Sequence, residues 1–156
     1  MNKIIIIGIG QKFRGDDAVG PEVVLAWEER YPQKAEKLQV KISPLPGLEL
    51  LGLFEDADTA ILVDAVQSGA EAGTIHVAGA EQLVSFGAGS GSVHGFGVAE
   101  TLALGRLANP EAIPENLIII GIEALILDVG SSISAEVRES IPNAVAKLDE
   151  IVLQYI

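Results

Sequence analysis

Residues 3–17 read KIIIIGIGQKFRGDD. The first part, residues 3–9, is a run of branched apolar side chains that closes on glycine. Such a run is typical of a strand that is buried on both faces in the middle of a parallel sheet. The loop that follows it contains glycines and the adjacent pair Asp16 and Asp17. The stretch therefore predicts an α/β fold with carboxylates just beyond the end of its first strand.

Working outward, the rest of the chain alternates between strand and helix patterns. Strands are predicted at residues 38–43, 59–66, 74–78 and 117–122, and helices at residues 22–31, 48–54, 98–107 and 134–154. Too few residues separate the third strand from the fourth for a parallel crossover, so these two are expected to form an antiparallel pair. The predicted architecture is one domain, residues 1–156. It has three layers, helix/sheet/helix, around a twisted, mostly parallel five-stranded sheet with one antiparallel strand.

Proline and serine residues suggest where the helices begin and bend. Pro21 is expected at the first position of the helix over residues 22–31, where a missing N–H costs nothing. Ser134 is a candidate cap for the last helix. Pro142 lies within that helix pattern and implies either a kink or two consecutive helices.

Composition excludes several classes of function. The chain has 22 acidic and 10 basic residues, a formal net charge of −12 and no cysteine. A nucleic-acid backbone or an anionic membrane surface would be repelled by this charge. Disulfides and thiolate chemistry are absent, and no apolar stretch approaches the roughly 20 residues of a membrane span. We therefore expect a cytoplasmic protein that binds neither nucleic acid nor membrane.

The loop after the first strand does not fit a nucleotide site. A dinucleotide fingerprint needs a third glycine where Phe13 stands, and a phosphate loop needs Lys and Ser or Thr where Asp16 and Asp17 stand. Carboxylates at that place would instead suit a cation. The alternative is that one aspartate only caps the next helix, because short polar side chains often do so.

Asp64 and His94 are the other candidates for a functional site. Asp64 lies near the carboxyl end of an apolar strand, where ligands gather in open α/β sheets, although it could simply cap a turn. His94 lies in a glycine-rich loop before a helix, and imidazole is a good ligand for nickel or zinc. A lone loop histidine is more often a surface residue. His76, the other histidine, follows a strand pattern and is expected to be partly exposed in the sheet.

Taken together and in order, these sites resemble the hydrogenase maturation endopeptidase family. The resemblance spans nearly the whole chain and rests on the ordered set of motifs rather than on any one of them. The residues that carry it are Gly8-Ile9-Gly10, Gly15-Asp16-Asp17-Ala18-Val19-Gly20, Leu62-Val63-Asp64-Ala65, His94-Gly95 with Gly97, Gly121-Ile122-Glu123 and residues 131–137.

The resemblance implies a function and a site. Members of this family remove a carboxy-terminal extension from the nickel-loaded large-subunit precursor of nickel-iron hydrogenases. By position, the family's metal-contacting and catalytic residues fall on Asp17, Asp64 and His94. Nickel then comes from the precursor, and no nucleotide cofactor is needed. The metal could activate water or only dock the scissile bond near an aspartate that acts as a general base.

Two departures from the family pattern stand out. Gln11 replaces a common asparagine, and residues 43–47 differ from the usual glycine- and threonine-rich turn, which leaves the identity of the target hydrogenase open. Two other functions remain as alternatives, a metal-dependent hydrolase of small molecules and a phosphoaspartate receiver-like module. The receiver hypothesis is weakened by Glu123 and Ala124, which stand where a receiver needs a lysine.

Overall fold

The computed structural model describes residues 1–44, 47–79, 82, 91–92 and 98–156. The strands are β1 Ile4–Ile9, β2 Gln39–Ser43, β3 Thr59–Gln67, β4 Ile75–Gly79, β5 Gly91–Ser92 and β6 Asn116–Glu123. The α-helices are α1 Val19–Arg30, α2 Pro32–Ala35, α3 Glu49–Leu53, α4 Val98–Ala108 and α5 Ala135–Val152, with 3₁₀ helices at Gly15–Ala18 and Pro110–Ala112. No helix within these ranges is long and apolar enough to cross a membrane.

The strands form a mixed sheet in the order β2-β1-β3-β6-β4. The contacts of β1 with β2 and β3, and of β3 with β6, are parallel, whereas β4 runs antiparallel to β6. The short strand β5 pairs antiparallel with the end of β3 and adds a sixth strand that the sequence did not predict. The predicted α/β class, with a mostly parallel sheet and one antiparallel strand at its edge, is confirmed.

The expected pairing of β3 with β4 is wrong, because β6 lies between them. The connection from β3 to β4 passes over the carboxyl end of β6. There the N–H of Gly73 donates to the carbonyl of Glu123, and the N–H of Glu123 donates to the carbonyl of Thr74. Seven residues are enough to cross one strand, since neighbouring strands lie only about 5 Å apart.

Two apolar clusters fill the space on the two faces of the sheet. One cluster joins α1 and α5 to the sheet through residues such as Ile6, Trp27 and Leu148. The other joins α3 and α4 to the opposite face through residues such as Ile7, Leu50 and Leu102. The apolar run in β1 serves both clusters, because successive side chains of a strand point to opposite faces. The three-layer architecture follows from this division.

The helix boundaries differ from the sequence prediction in two places. Helix α1 begins at Val19, so Pro21 is its third residue rather than its first, and the 3₁₀ helix leads directly into it. Proline is still tolerated there, because N–H groups in the first turn have no partner within the helix. Helix α5 runs as one element through Pro142, so the alternative of two consecutive helices is wrong.

We predict that Gly20→Ala destabilises the fold. A Cβ at Gly20 would lie 2.3 Å from the carbonyl oxygen of Val63 and 2.5 Å from that of Ile9, so α1 would have to move off the sheet. Overpacking of this kind costs about 1–3 kcal/mol. Urea unfolding measures the loss.

The matched control is Gly52→Ala. A Cβ at Gly52, inside α3, meets nothing within 4 Å. This substitution should raise the free energy of unfolding by about 0.5–1 kcal/mol, the usual gain of alanine over glycine in a helix. Equal effects from the two substitutions would contradict the close packing of α1 on β1 and β3.

Candidate functional site

Asp17 is held inside the loop that follows β1. Its side chain is fully buried, and its Oδ2 accepts a hydrogen bond of 2.7 Å from the backbone N–H of Gln11. Gly10 makes this loop possible, because its φ is +151° and a Cβ there would lie 1.8 Å from the carbonyl oxygen of Asp17. The bond uses the backbone of Gln11, so the replacement of asparagine at that position does not affect it.

Asp64 lies on the strand next to β1. In the parallel register Gly8 is opposite Val63, so Asp64 follows one residue beyond, near the end of β3. Its side chain is 1% exposed and follows Leu62 onto the face that α3 and α4 cover. The 3₁₀ helix that contains Asp17 packs on β3. The structure thus places both aspartates, buried, at the carboxyl edge of two neighbouring strands.

His94, the third candidate, lies outside the described residues. The chain shortly before it is described: Ser92 in β5 pairs with Val66, two residues beyond Asp64 on β3. Strand β5, which ends two residues before His94 in the chain, therefore lies at the same edge of the sheet as the aspartates. Within the described ranges, no group of three or more acidic or histidine side chains is arranged to hold a metal ion. The three-ligand set of Asp17, Asp64 and His94 stays a prediction.

Asp16 has a different role. Its side chain is fully buried and accepts four hydrogen bonds from a segment more than a hundred residues away. Oδ1 accepts from the N–H of Ser134 at 2.6 Å. Oδ2 accepts from the N–H groups of Leu125 and Ile126, each at 2.8 Å, and from the hydroxyl of Ser134 at 2.9 Å.

Backbone bonds reinforce this connection. The N–H of Asp16 donates to the carbonyl of Ile126, that of Gly15 to Ser131, and that of Gly130 to Phe13. Asp16 therefore joins the site loop to the segment before α5. The interpretation that this aspartate caps the following helix is wrong, because neither the 3₁₀ helix nor α1 has a side-chain cap. Asp16 bonds instead to Ser134, the N-cap residue of α5.

Sequence inspection missed the burial of a fourth carboxylate, that of Glu123 at the end of β6. It is 3% exposed and accepts hydrogen bonds from the N–H and the hydroxyl of Ser68. Nε2 of His76 lies 3.1 Å from its Oε1. His76 is partly exposed, as predicted, with 22% of its side chain accessible. Glu123 anchors the connection that crosses the end of β6.

This cluster is not a serine-protease triad. In a triad the imidazole bridges serine and carboxylate through its two different nitrogens. Here Nε2 of His76 faces both the hydroxyl of Ser68 and the carboxylate of Glu123, and the hydroxyl donates to the carboxylate directly. The serine therefore has no histidine base of its own, and its role is to hold the loop.

Comparison with known proteins gives consistent matches over most of the chain. The family model described as hydrogenase maturation protease matches residues 23–151. The Hydrogenase 2 maturation protease of Escherichia coli K12 is 28% identical over 95% of this chain and 92% of its own length. The hydrogenase expression/formation protein HupD of Rhizobium leguminosarum is 30% identical over 92% of this chain and 70% of its own length.

Solved structures share the fold. The hydrogenase maturation protease HybD of Thermococcus kodakarensis superposes with a TM-score of 0.78 at 20% identity, over 96% of this chain and 99% of that one. The hydrogenase maturating endopeptidase HybD of Escherichia coli gives a TM-score of 0.79 at 22% identity, over 97% and 93%. At such identities the likeness concerns the fold alone.

We predict that Asp16→Asn destabilises the protein more than Asp17→Asn does. Both oxygens of Asp16 accept hydrogen bonds from N–H or O–H donors, so an amide NH₂ at either position would face a donor. Leaving buried donors without acceptors costs about 2–4 kcal/mol here, since the lost bonds involve a charged group. Asparagine at position 17 can still accept from Gln11. Urea unfolding of both variants measures the difference, and equal losses would contradict the division of roles.

Proposed function

The chain belongs to the hydrogenase maturation protease family, and we propose that it cleaves the carboxy-terminal extension from a nickel-loaded large-subunit precursor of a nickel-iron hydrogenase. The family model that covers residues 23–151 supports an endopeptidase. One observation supports the proposed site: Asp17 and Asp64 are both buried at the carboxyl edge of β1 and β3. Ligand sites of open α/β sheets lie at this edge.

In this proposal nickel is part of the substrate. Asp17 and Asp64 supply carboxylate oxygens, and His94 supplies an imidazole nitrogen, to a metal that the precursor already holds. Oxygen and nitrogen donors of this kind suit divalent first-row metals. Three protein groups leave coordination positions for the donors of the precursor. The chain has no cysteine of its own that could compete with them.

The same groups would distinguish loaded from unloaded precursor. The two carboxylates are buried, and buried negative charge is costly unless a positive charge compensates it. A precursor with nickel supplies that charge, whereas a nickel-free precursor does not. Cleavage would therefore occur only after metal insertion. The selectivity comes from the unfavourable binding of the nickel-free precursor as much as from the favourable binding of the nickel-loaded one.

In the hydrolytic step, water adds to the scissile carbonyl carbon, the C–N bond breaks, and a proton passes to the leaving amine. We assign acceptance of the proton from water to one of the two site carboxylates, which would make the enzyme an aspartyl protease in chemical terms. Bound nickel would polarise the site in which this occurs. Neither a small-molecule hydrolase nor a receiver-like module is favoured by the family match.

We also propose that the enzyme works in the cytoplasm. A cysteine-free chain needs no oxidising compartment for its folding. The net charge of −12 argues against nucleic acid as a further partner, since phosphate backbones would be repelled.

The test is the intact mass of a nickel-loaded precursor before and after incubation with this protein. We expect the loss of one carboxy-terminal peptide, and no loss from nickel-free precursor. Asp17→Asn, Asp64→Asn and His94→Ala should each slow cleavage about 100-fold or more, the order expected when a group that contacts the reacting centre is removed.

Asp56→Asn is the matched control. Asp56 is exposed and has a positive φ of 62°, a conformation that asparagine also adopts, so this variant should cleave like the wild type. An unchanged precursor mass across several nickel-iron hydrogenases would overturn the proposed substrate. Normal cleavage by Asp17→Asn and Asp64→Asn would overturn the proposed site while leaving the substrate intact.

A further inference from the structure

A surface cavity of about 240 Å³ opens beside the loop that holds Asp17. We call it the cationic cavity and define it by Lys12, Phe13, Glu22, Ser132 and Arg138 among its lining residues. It lies on the side of the sheet covered by α1 and α5, because Glu22 is on α1 and Arg138 on α5. None of these residues is part of the proposed metal-binding set.

The cavity lies beside the loop that holds Asp17. Lys12 follows Gln11, whose N–H holds the carboxylate of Asp17. Ala18, another lining residue, follows Asp17 itself. The opposite wall, at Gly130 and Ser131, is bonded to the same loop through Phe13 and Gly15. Lining residues of the cavity are therefore direct chain neighbours of the residues that position Asp17.

The charge of the cavity is opposite to that of the whole chain. It is lined by the cations Lys12 and Arg138 and one carboxylate, Glu22, within a chain of net charge −12. Asp128 and Glu139, which are near in sequence, do not line it. Within the described part of the chain, neither Lys12 nor Arg138 forms an ion pair. Both cations therefore remain available to an incoming anion.

The rim of the cavity is apolar. Phe13 is 72% exposed, and Nζ of Lys12 lies 5.7 Å from the centre of its ring. Val129, 84% exposed, directly precedes Gly130, whose N–H donates to the carbonyl of Phe13. Exposed aromatic side chains such as Phe13 are enriched at protein interfaces.

We propose that the cationic cavity binds a precursor segment next to the scissile bond that carries acidic and apolar side chains. This inference rests on the proposed function, and it names the chemistry of the substrate beyond the metal. Acidic side chains would pair with Lys12 and Arg138, and apolar ones would pack on Phe13 and Val129. The surface outside the cavity has an excess of negative charge, which disfavours binding of such a segment elsewhere.

Steady-state cleavage of a nickel-loaded precursor tests this directly. Lys12→Gln and Arg138→Gln should each raise KM about two- to five-fold, as expected for partly exposed charge pairs, with little change in kcat. Glu22→Gln should lower KM, because it removes the one opposing charge. Lys37→Gln and Arg106→Gln are matched charge controls that lie outside the cavity, and both should behave like the wild type. Equal KM values for all five variants would overturn the inference.

A peptide experiment separates this inference from the proposed function. The probes are two synthetic ten-residue peptides, one of alternating Glu and Leu and one of alternating Gln and Leu, titrated onto the metal-free protein at low and high salt. We expect the Glu peptide to bind more tightly at low salt, and Lys12→Gln and Arg138→Gln to remove the difference. That result supports the cavity even if no precursor is cleaved. Equal affinity for both peptides overturns it, even if cleavage by the wild type is normal.

Discussion

The carboxylate of Asp16 joins two parts of the chain on which the site depends. It accepts hydrogen bonds from Leu125, Ile126 and Ser134, and thereby ties the loop after β1 to the segment that leads into α5. A buried carboxylate without such donors would be very costly, so Asp16 can be buried only because these hydrogen bonds are formed. The loop can hold its shape because this anchor is satisfied within the protein.

The anchor explains why two adjacent aspartates have different roles. Since Asp16 is turned toward the segment before α5, Asp17 is turned toward Gln11 and the end of β1. Asp16 uses both oxygens for structure, whereas the neighbouring carboxylate lies at the edge where β1 and β3 end. Glu123 plays a part similar to that of Asp16 at the end of β6, where it fixes the connection between β3 and β4. Two structural carboxylates, Asp16 and Glu123, thus bond to the chain at or just beyond the end of β6, beside the proposed site.

The same loop also creates the cationic cavity. Lys12 and Phe13 lie at its exposed tip, and the bond between Phe13 and Gly130 sets them against the segment before α5. One loop therefore contributes a buried carboxylate on its inner side and a cation with an aromatic ring on its outer side. A substrate that brings a metal cation to the buried carboxylate and acidic groups to the exposed cation would have the opposite charge at each place. This arrangement favours binding of the substrate in one orientation.

The sequence by itself determined most of the strands and helices and the place in the chain of two candidate site residues, Asp17 and Asp64. Runs of branched apolar residues predicted β1, β3 and β6, and the position of Asp64 at the end of such a run predicted its place at the carboxyl edge. These features are local, because strand and helix patterns are set by the period of apolar side chains over a few residues. The ordered motifs were also sufficient to indicate the family.

Only the tertiary structure decided which strands are neighbours and which carboxylates are structural. The insertion of β6 between β3 and β4 could not be predicted from the short connection, because seven residues can close a hairpin or cross one strand. The role of Asp16 depends on donors 109 to 118 residues away. The bonds of Glu123 to Ser68 and His76 likewise join distant segments. Hydrogen bonds of this kind leave no local pattern in the sequence, since they form only after the sheet has brought the segments together.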